Sequence, residues 1–173
     1  MSVTSPAVRH VRSVESSITV CGSIQETWDE ITNVDIASDT HPAYFRLFGI
    51  PNPLRAEIES AGVSGRRIAY FDNGKRFIQA ITIWEPLRKY SFTFNPEKGF
   101  KVLFFFDLSD GVVQIPTGTY WLSPDGTGTK IRLGTQYSID RAMSPILAAP
   151  VRLSLRLFQR YLLKSIRRNV EAR

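Results

Sequence analysis

The chain has 173 residues, of which 43% are apolar and 22% charged, which suits one globular domain with its own core. One cysteine excludes an intrachain disulfide framework, and with two histidines there is no Cys/His cluster for a structural zinc. The polar start of the sequence and the absence of an apolar run of about 18 residues predict a soluble cytoplasmic protein.

The net charge of +6 is concentrated towards one end of the chain. Residues 141–173 include eight basic residues and one acidic residue, so the other 140 residues have a net charge of −1. A charge-driven contact with a partner is therefore expected to involve the C-terminal segment.

The chain begins with residues 1–13, which are small, polar and without periodicity. They predict a flexible N-terminal tail in front of a single domain at 14–173. The segment Val14–Cys21 alternates polar and apolar residues and predicts the first strand.

Two short helices are predicted after this strand. Ser23 with Glu26 three residues later is a capping box, which marks the start of the first helix. A second short helix is predicted at 42–48, because proline suits a first helical turn. The apolar positions that form the buried face of the first helix are Ile24, Trp28 and Ile31.

The middle of the chain is a series of strand-like segments rich in β-branched and aromatic residues. The turns between them are too short for helical crossovers, so they predict an antiparallel meander. The segments are 55–60, 66–71, 76–84, 90–94, 102–108, 118–122 and 129–139.

The chain closes with a long amphipathic helix at about residues 144–170. Its apolar positions fall within one arc and must cover the preceding sheet. The basic residues on the opposite side include Arg152, Arg156, Arg160 and Lys164.

The order of these elements resembles the START-like superfamily, which includes polyketide cyclase/dehydrase-type, coenzyme-Q-binding and Bet v 1-like proteins. The segment at 20–33, with Trp28, Ile31 and Asn33, resembles the opening of that superfamily. Ile-Trp-Glu-Pro-Leu at 83–87 resembles its strand that ends in an acidic-Pro turn, and 118–131 resembles its penultimate hairpin.

The resemblance implies an α+β helix-grip fold: a curved antiparallel sheet of six to seven strands around a long C-terminal helix, with two short helices after the first strand. It also implies an internal cavity that binds a hydrophobic small molecule. The protein would then be a polyketide cyclase/dehydrase-like enzyme without metal or nucleotide cofactor, or a non-catalytic lipid or quinone carrier. A third hypothesis is an interaction module whose cavity is filled by its own aromatic side chains.

Strand alternation and this resemblance together nominate the residues that contact the ligand. In the segment 76–84 both parities are apolar, and the resemblance favours the even-numbered set. Aromatase/cyclase members often have an arginine in the cavity four residues before the proline that ends this strand. This sequence has Thr82 at that position, so the resemblance does not extend to aromatase chemistry. The nominated residues are Phe48, Ile78, Ala80, Thr82, Trp84, Tyr90, Phe92, Tyr120, Leu133 and Thr135.

Two residues are candidates for acid–base catalysis. His41 lies two residues after Asp39 and could act as a general base, although a histidine before proline is also typical of an exposed cap. Tyr137 is a candidate cavity residue and acid. Arg66 and Arg67 follow a glycine turn and are expected to be solvated.

The basic face formed by Arg152, Arg156, Arg160 and Lys164 has three interpretations. It is a solvated helix face, or it docks on an anionic membrane or a carrier protein. Nucleic-acid binding is the least favoured, since the sequence has no recognisable nucleic-acid module. The sequence does not decide between a monomer and a dimer, because Phe104 and Phe106 could form an apolar interface.

Overall fold

A sheet that curls around the long C-terminal helix defines the fold in a computed structural model, which describes residues 9–173. The flexible tail predicted for residues 1–13 lies partly outside the described residues, at 1–8. Arg12 and Ser13 already belong to the first strand, two residues before its predicted start.

The described residues form twelve strands and three α-helices. The strands are β1 (Arg12–Val20), β2 (Val34–Asp35), β3 (Pro53–Ser60), β4 (Arg66–Phe71), β5 (Arg76–Glu85), β6 (Lys89–Thr93), β7 (Asn95–Pro96), β8 (Lys101–Val102), β9 (Phe106–Asp107), β10 (Val113–Gln114), β11 (Thr117–Asp125) and β12 (Gly128–Ile139). The helices are α1 (Ile24–Thr32), α2 (Ala43–Leu47) and α3 (Ser144–Glu171), with a short 3₁₀ helix at Leu108–Asp110.

The main sheet is antiparallel throughout, with the strand order β1-β12-β11-β6-β5-β4-β3-β2. The first strand pairs with the last along its whole length, from Arg12 opposite Tyr137 to Val20 opposite Thr129. Seven strands have five or more residues, which confirms the predicted α+β helix-grip fold with its curved antiparallel sheet.

The first helix forms as its capping signal predicts. The Glu26 backbone N–H donates to Ser23 Oγ over 3.2 Å, and the Ser23 backbone N–H donates to the Glu26 carboxylate over 2.9 Å. The Ser23 hydroxyl also donates to the Glu26 carboxylate over 2.7 Å, and this hydrogen bond, together with the one from the Ser23 backbone, lowers the pKa of Glu26. Trp28 and Ile31 are buried as predicted.

The helix α3 packs its apolar side against the sheet and against α1. Leu147, Val151 and Ile166 are among its buried residues. No helix within residues 9–173 is long and apolar enough to cross a membrane. The four basic residues Arg152, Arg156, Arg160 and Lys164 are exposed, and in the described part of the chain none of them forms an ion pair.

The prediction of one strand at 102–108 is wrong. This segment folds back as the β8–β9 hairpin, with Val102 paired to Phe106 and a three-residue turn between them. Phe100 and Leu108 are buried at the two ends and joined by a backbone hydrogen bond of 2.9 Å, so the chain between them must reverse. Phe104 and Phe105, at the tip, are 57% and 83% exposed.

The predicted parity of β5 is also wrong for Ile78, Ala80 and Thr82. Gln79 and Ile81 are the buried residues, whereas Ala80 and Thr82 are exposed and Ile78 is half-buried. Apolar residues occur in both parities of this strand, so alternation alone could not identify the inward face.

A β-bulge explains why Trp84 nevertheless lies on the core side. The pairing with β6 shifts between Ile81 and Ile83, and the extra residue reverses the parity of the strand from that point. The Trp84 ring consequently packs on Trp28, with ring centroids 5.0 Å apart, and on Tyr90 at 5.5 Å.

Because Ile81 and Thr82 lie on opposite faces of β5, we expect substitutions at these adjacent positions to change stability by very different amounts. Ile81→Ala removes a side chain that is only 2% exposed, so we expect it to lower the free energy of unfolding by roughly 2–5 kcal/mol. Thr82→Ala, on the exposed face, should change it by less than about 0.5 kcal/mol. Urea denaturation measures both, and equal losses would contradict the assigned faces.

Candidate ligand-binding cavity

An internal cavity of about 140 Å³ lies between the concave face of the sheet and α3. Its wall is mostly apolar and drawn from distant parts of the chain. The cavity is close in size to the engineered apolar cavity of about 150 Å³ that binds benzene in another protein. Representative wall residues are Ala69, Phe71, Phe77, Leu133, Leu155 and Phe158.

Three segments bring the cavity wall to the protein surface. Wall residues that keep partial exposure include Ile50 before β3, Leu103 in the β8–β9 turn and Leu155 on α3. A Cβ atom on Gly49 would lie 2.6 Å from the backbone nitrogen of Phe104, so the first two segments are in close contact. We call these three segments the mouth of the cavity.

Arg67 is the one basic residue of the wall that is buried, with 4% of its surface exposed. The Arg67 Nη1 group donates to Gln79 Oε1 over 2.9 Å, Nε donates to the Thr32 carbonyl and Nη2 to the Ile31 carbonyl, each over 3.2 Å. The expectation that Arg67 is solvated is therefore wrong, whereas its neighbour Arg66 is exposed as expected.

The position of the Arg67 side chain at the end of α1 makes its burial possible. Ile31 and Thr32 are the last two residues of α1, where carbonyl groups lack helical partners and the helix dipole is negative. The guanidinium also lies over the rings of Phe92 and Tyr90, at 5.6 and 6.0 Å. Among the described residues no carboxylate forms an ion pair with Arg67.

The helix side of the wall has its own polar groups. Gln159 is buried and fully engaged: its amide nitrogen donates to the Val14 carbonyl and to Thr135 Oγ1, and its oxygen accepts from Ser16. The Ser154 hydroxyl is also buried and lies in the wall, but it has no hydrogen-bond partner among the described residues.

Tyr120 provides a phenol in the wall of the cavity. Burial raises its pKa well above the ordinary value of a tyrosine, and the opposing effect of the nearby Arg67 charge is smaller. Tyr120 therefore stays protonated over the physiological range and can donate a hydrogen bond.

Four of the ten nominated ligand-contact residues line the cavity: Phe92, Tyr120, Leu133 and Thr135. Trp84 and Tyr90 pack with Trp28 in the adjacent core and are not part of the wall. Phe48 is half-buried at the C-terminal end of α2, outside the wall. Ile78, Ala80 and Thr82 are also outside it, because they lie on the opposite face of β5.

Neither candidate catalytic residue lies in the cavity wall. The His41 Nε2 atom is 3.3 Å from the Pro53 carbonyl oxygen, and the Asp39 carboxylate that was expected to hold it pairs with Arg168 instead. Tyr137 is buried but borders a separate surface depression, together with Arg12 and Arg152.

One signal in the sequence could have identified Arg67. It lies four residues before Phe71 with Ala69 between them, and alternate residues of a strand share a face. If Phe71 belongs to the core, Arg67 faces the same side. The arginine therefore reaches the cavity from β4, and not from the Thr82 position on β5.

The buried phenol of Tyr120 predicts a pH-dependent loss of stability. The pKa of Tyr120 is higher in the folded protein than in the unfolded chain, so the neutral phenol stabilises the folded state. This stabilisation is fully present below the unfolded pKa of about 10 and is lost as the pH rises from there through the pKa of the folded protein. Tyr120→Phe should reduce the fall in unfolding free energy between pH 9 and 11 by more than Tyr44→Phe does, because burial also raises the pKa of Tyr44 but that phenol is only partly buried. An identical fall in wild type and Tyr120→Phe would contradict the assignment.

Solved structures with the same fold show how this chain compares with known proteins. The Mll3558 protein from Rhizobium loti is 15% identical, with a TM-score of 0.57, over 94% of this chain and 99% of that one. Ara h 8.0201 is 15% identical, with a TM-score of 0.61, over 95% and 100%. Truncated norcoclaurine synthase from Thalictrum flavum is 13% identical, with a TM-score of 0.60, over 94% and 95%.

These likenesses extend over nearly the whole of each chain at low sequence identity. They show the fold shared by Bet v 1-like and START-like proteins. No protein-family model matches the sequence, and a comparison with curated proteins finds no match.

Proposed function

We propose that the protein binds a small hydrophobic molecule in the cavity between the sheet and α3. The observation that carries this proposal is an apolar cavity of about 140 Å³ with one buried cation, Arg67, in its wall. Empty apolar volume costs about 24 cal/mol per Å³, so a vacant cavity of this size costs on the order of 3 kcal/mol. An occupant would recover part of that free energy.

The cavity volume limits the size of the ligand. Pockets for drug-sized molecules span about 300–1,000 Å³, so this one suits a ligand near the size of a benzene ring. Aromatic side chains fill much of the remaining interior, as the interaction-module hypothesis supposes, but they leave this space open. A long polyketide chain would need the mouth to open.

The enzymatic form of the proposal is a polyketide cyclase/dehydrase-like reaction on a bound ligand. Structures with this fold include an enzyme, norcoclaurine synthase, and a point mutant of it in complex with a transition-state analogue. Tyr120 is the tyrosine in the wall and would donate the proton or hydrogen bond, since its phenol stays neutral. The wall positions favour Tyr120 over His41 and Tyr137.

The alternative form is a lipid or quinone carrier that loads at an anionic membrane. The mouth supports it, because Phe104 and Phe105 at the tip of the β8–β9 turn are exposed next to the wall residue Leu103. The exposed basic face of α3 has the charge that attracts anionic lipid.

Filling the cavity tests the binding proposal. Toluene should bind the wild type and raise its melting temperature, measured by a thermal shift assay and by isothermal titration calorimetry. Ala69→Leu places a larger side chain in the wall and should weaken toluene binding about tenfold or more, whereas Ala80→Leu on the exposed face should not.

Two outcomes would contradict the binding proposal. One is the absence of toluene binding by the folded wild type. The other is an equal loss of binding in Ala69→Leu and Ala80→Leu, because the two substitutions enlarge side chains on opposite faces of the sheet.

Reversing charge on α3 tests the carrier alternative. Arg156→Glu with Arg160→Glu should weaken sedimentation with phosphatidylserine-containing vesicles about thirtyfold or more, since each basic residue near the surface contributes about 1 kcal/mol. Lys130→Glu with Arg132→Glu reverses two exposed charges on the outer face of β12 and provides the control. Equal effects of both pairs would rule out specific docking through α3.

A further inference from the structure

We propose that the ligand of this cavity is a small carboxylate whose two oxygens complete the hydrogen bonding of Arg67. The inference rests on the proposed function, and it adds the chemical class of the occupant. The expected ligand has a compact ring-shaped or branched hydrocarbon body and a single negative charge.

The hydrogen bonds of Arg67 leave room for a ligand. A guanidinium has five N–H groups, and three donate to the carbonyls of Ile31 and Thr32 and to Gln79. Nε has used its single N–H, so one N–H remains on each of Nη1 and Nη2. Because Arg67 is 4% exposed, bulk water has little access to these two groups.

The charge of Arg67 is also incompletely balanced. The C-terminus of α1 offers about half a negative charge, and Gln79 is neutral. Other described arginines without an ion pair, such as Arg152 and Arg156, are exposed to water, whereas Arg67 is buried and has no carboxylate partner among the described residues. A buried charge without a counterion is costly, so an anionic occupant would stabilise the folded protein.

The rest of the wall determines the class of anion. Two N–H groups of Arg67 without a partner in the described chain can donate to the two oxygens of one carboxylate. The apolar wall residues, such as Phe77 and Leu133, would pack against the hydrocarbon body. The volume of about 140 Å³ suits a ligand body of about six to nine non-hydrogen atoms.

The unpartnered Ser154 hydroxyl is a second, independent sign of an occupant. A buried hydroxyl usually has a hydrogen-bond partner, and a helical serine often donates to the carbonyl four residues earlier. Ser154 has neither within the described chain, and it lies in the same wall as Arg67. A polar atom of the ligand would supply the missing partner.

Matched acids and amides test the proposal in the wild-type protein. Calorimetry at pH 7 compares 3-methylbutanoate with 3-methylbutanamide and benzoate with benzamide, so that each pair differs mainly in charge. We expect each acid to bind about tenfold or more tightly than its amide, because a hydrogen bond to an ionised group is about twice as strong. Toluene serves as the uncharged probe of the cavity itself.

Substitutions then locate the charge that is responsible. Arg67→Met should abolish the preference for the acids and keep toluene binding. Arg66→Met removes an equal charge from the exposed face of the same strand and should keep the preference. Arg67→Lys retains the charge and should retain part of the preference. It also provides a second variant if Arg67→Met fails to fold after losing its bonds to α1.

The outcomes separate this inference from the proposed function. Toluene binding without a preference for the acids overturns the carboxylate assignment and leaves the proposed function standing. A preference that survives in Arg67→Met, or is lost equally in Arg66→Met, also overturns it. If neither toluene nor any acid binds the folded wild type, the proposed function fails, and the inference with it.

Discussion

A helix cannot stay in contact with a strongly curved sheet along its whole length, and the cavity of this structure follows from that mismatch. Pairing of β1 with β12 brings the first and last strands together, and α3 lies across the concave side. Near the middle of α3 the sheet stands away from the helix and leaves the cavity. Aromatic side chains narrow this space without filling it, which makes it suitable for a small ligand.

Arg67 connects the wall of the cavity to α1 and β5. Its guanidinium joins the last carbonyls of α1 to Gln79 on β5, so one side chain ties a helix end to two strands at the cavity wall. The helix dipole makes the burial tolerable but supplies only part of a counterion. The same residue therefore stabilises the fold with three of its N–H groups and keeps two N–H groups that a ligand can bind. An anion in the cavity would contact these two groups.

The mouth is the part of the cavity wall that is partly exposed to solvent. The β8–β9 turn contributes Leu103 to the wall and exposes two phenylalanines outside it, while Gly49 packs against the turn. The bulky residues Leu103 and Phe104 both adopt positive φ, at 50° and 68°, which is unfavourable for such side chains. Strain at a site of this kind is typical of functional segments, and here it lies where a ligand would enter.

Local patterns in the sequence determined most elements of this protein, and the hairpin at 101–107 is the exception. The Ser23–Glu26 capping box, the strand alternation of β12 and the amphipathic repeat of α3 all appear as predicted, because each depends on residues close together in the chain. The element order was enough to indicate the helix-grip fold. Tertiary structure alone decided the site. The bulge in β5 set which face of that strand is inward, and the end of α1 provided the partners that allow Arg67 to be buried. Both depend on contacts between residues far apart in sequence, which periodicity does not report.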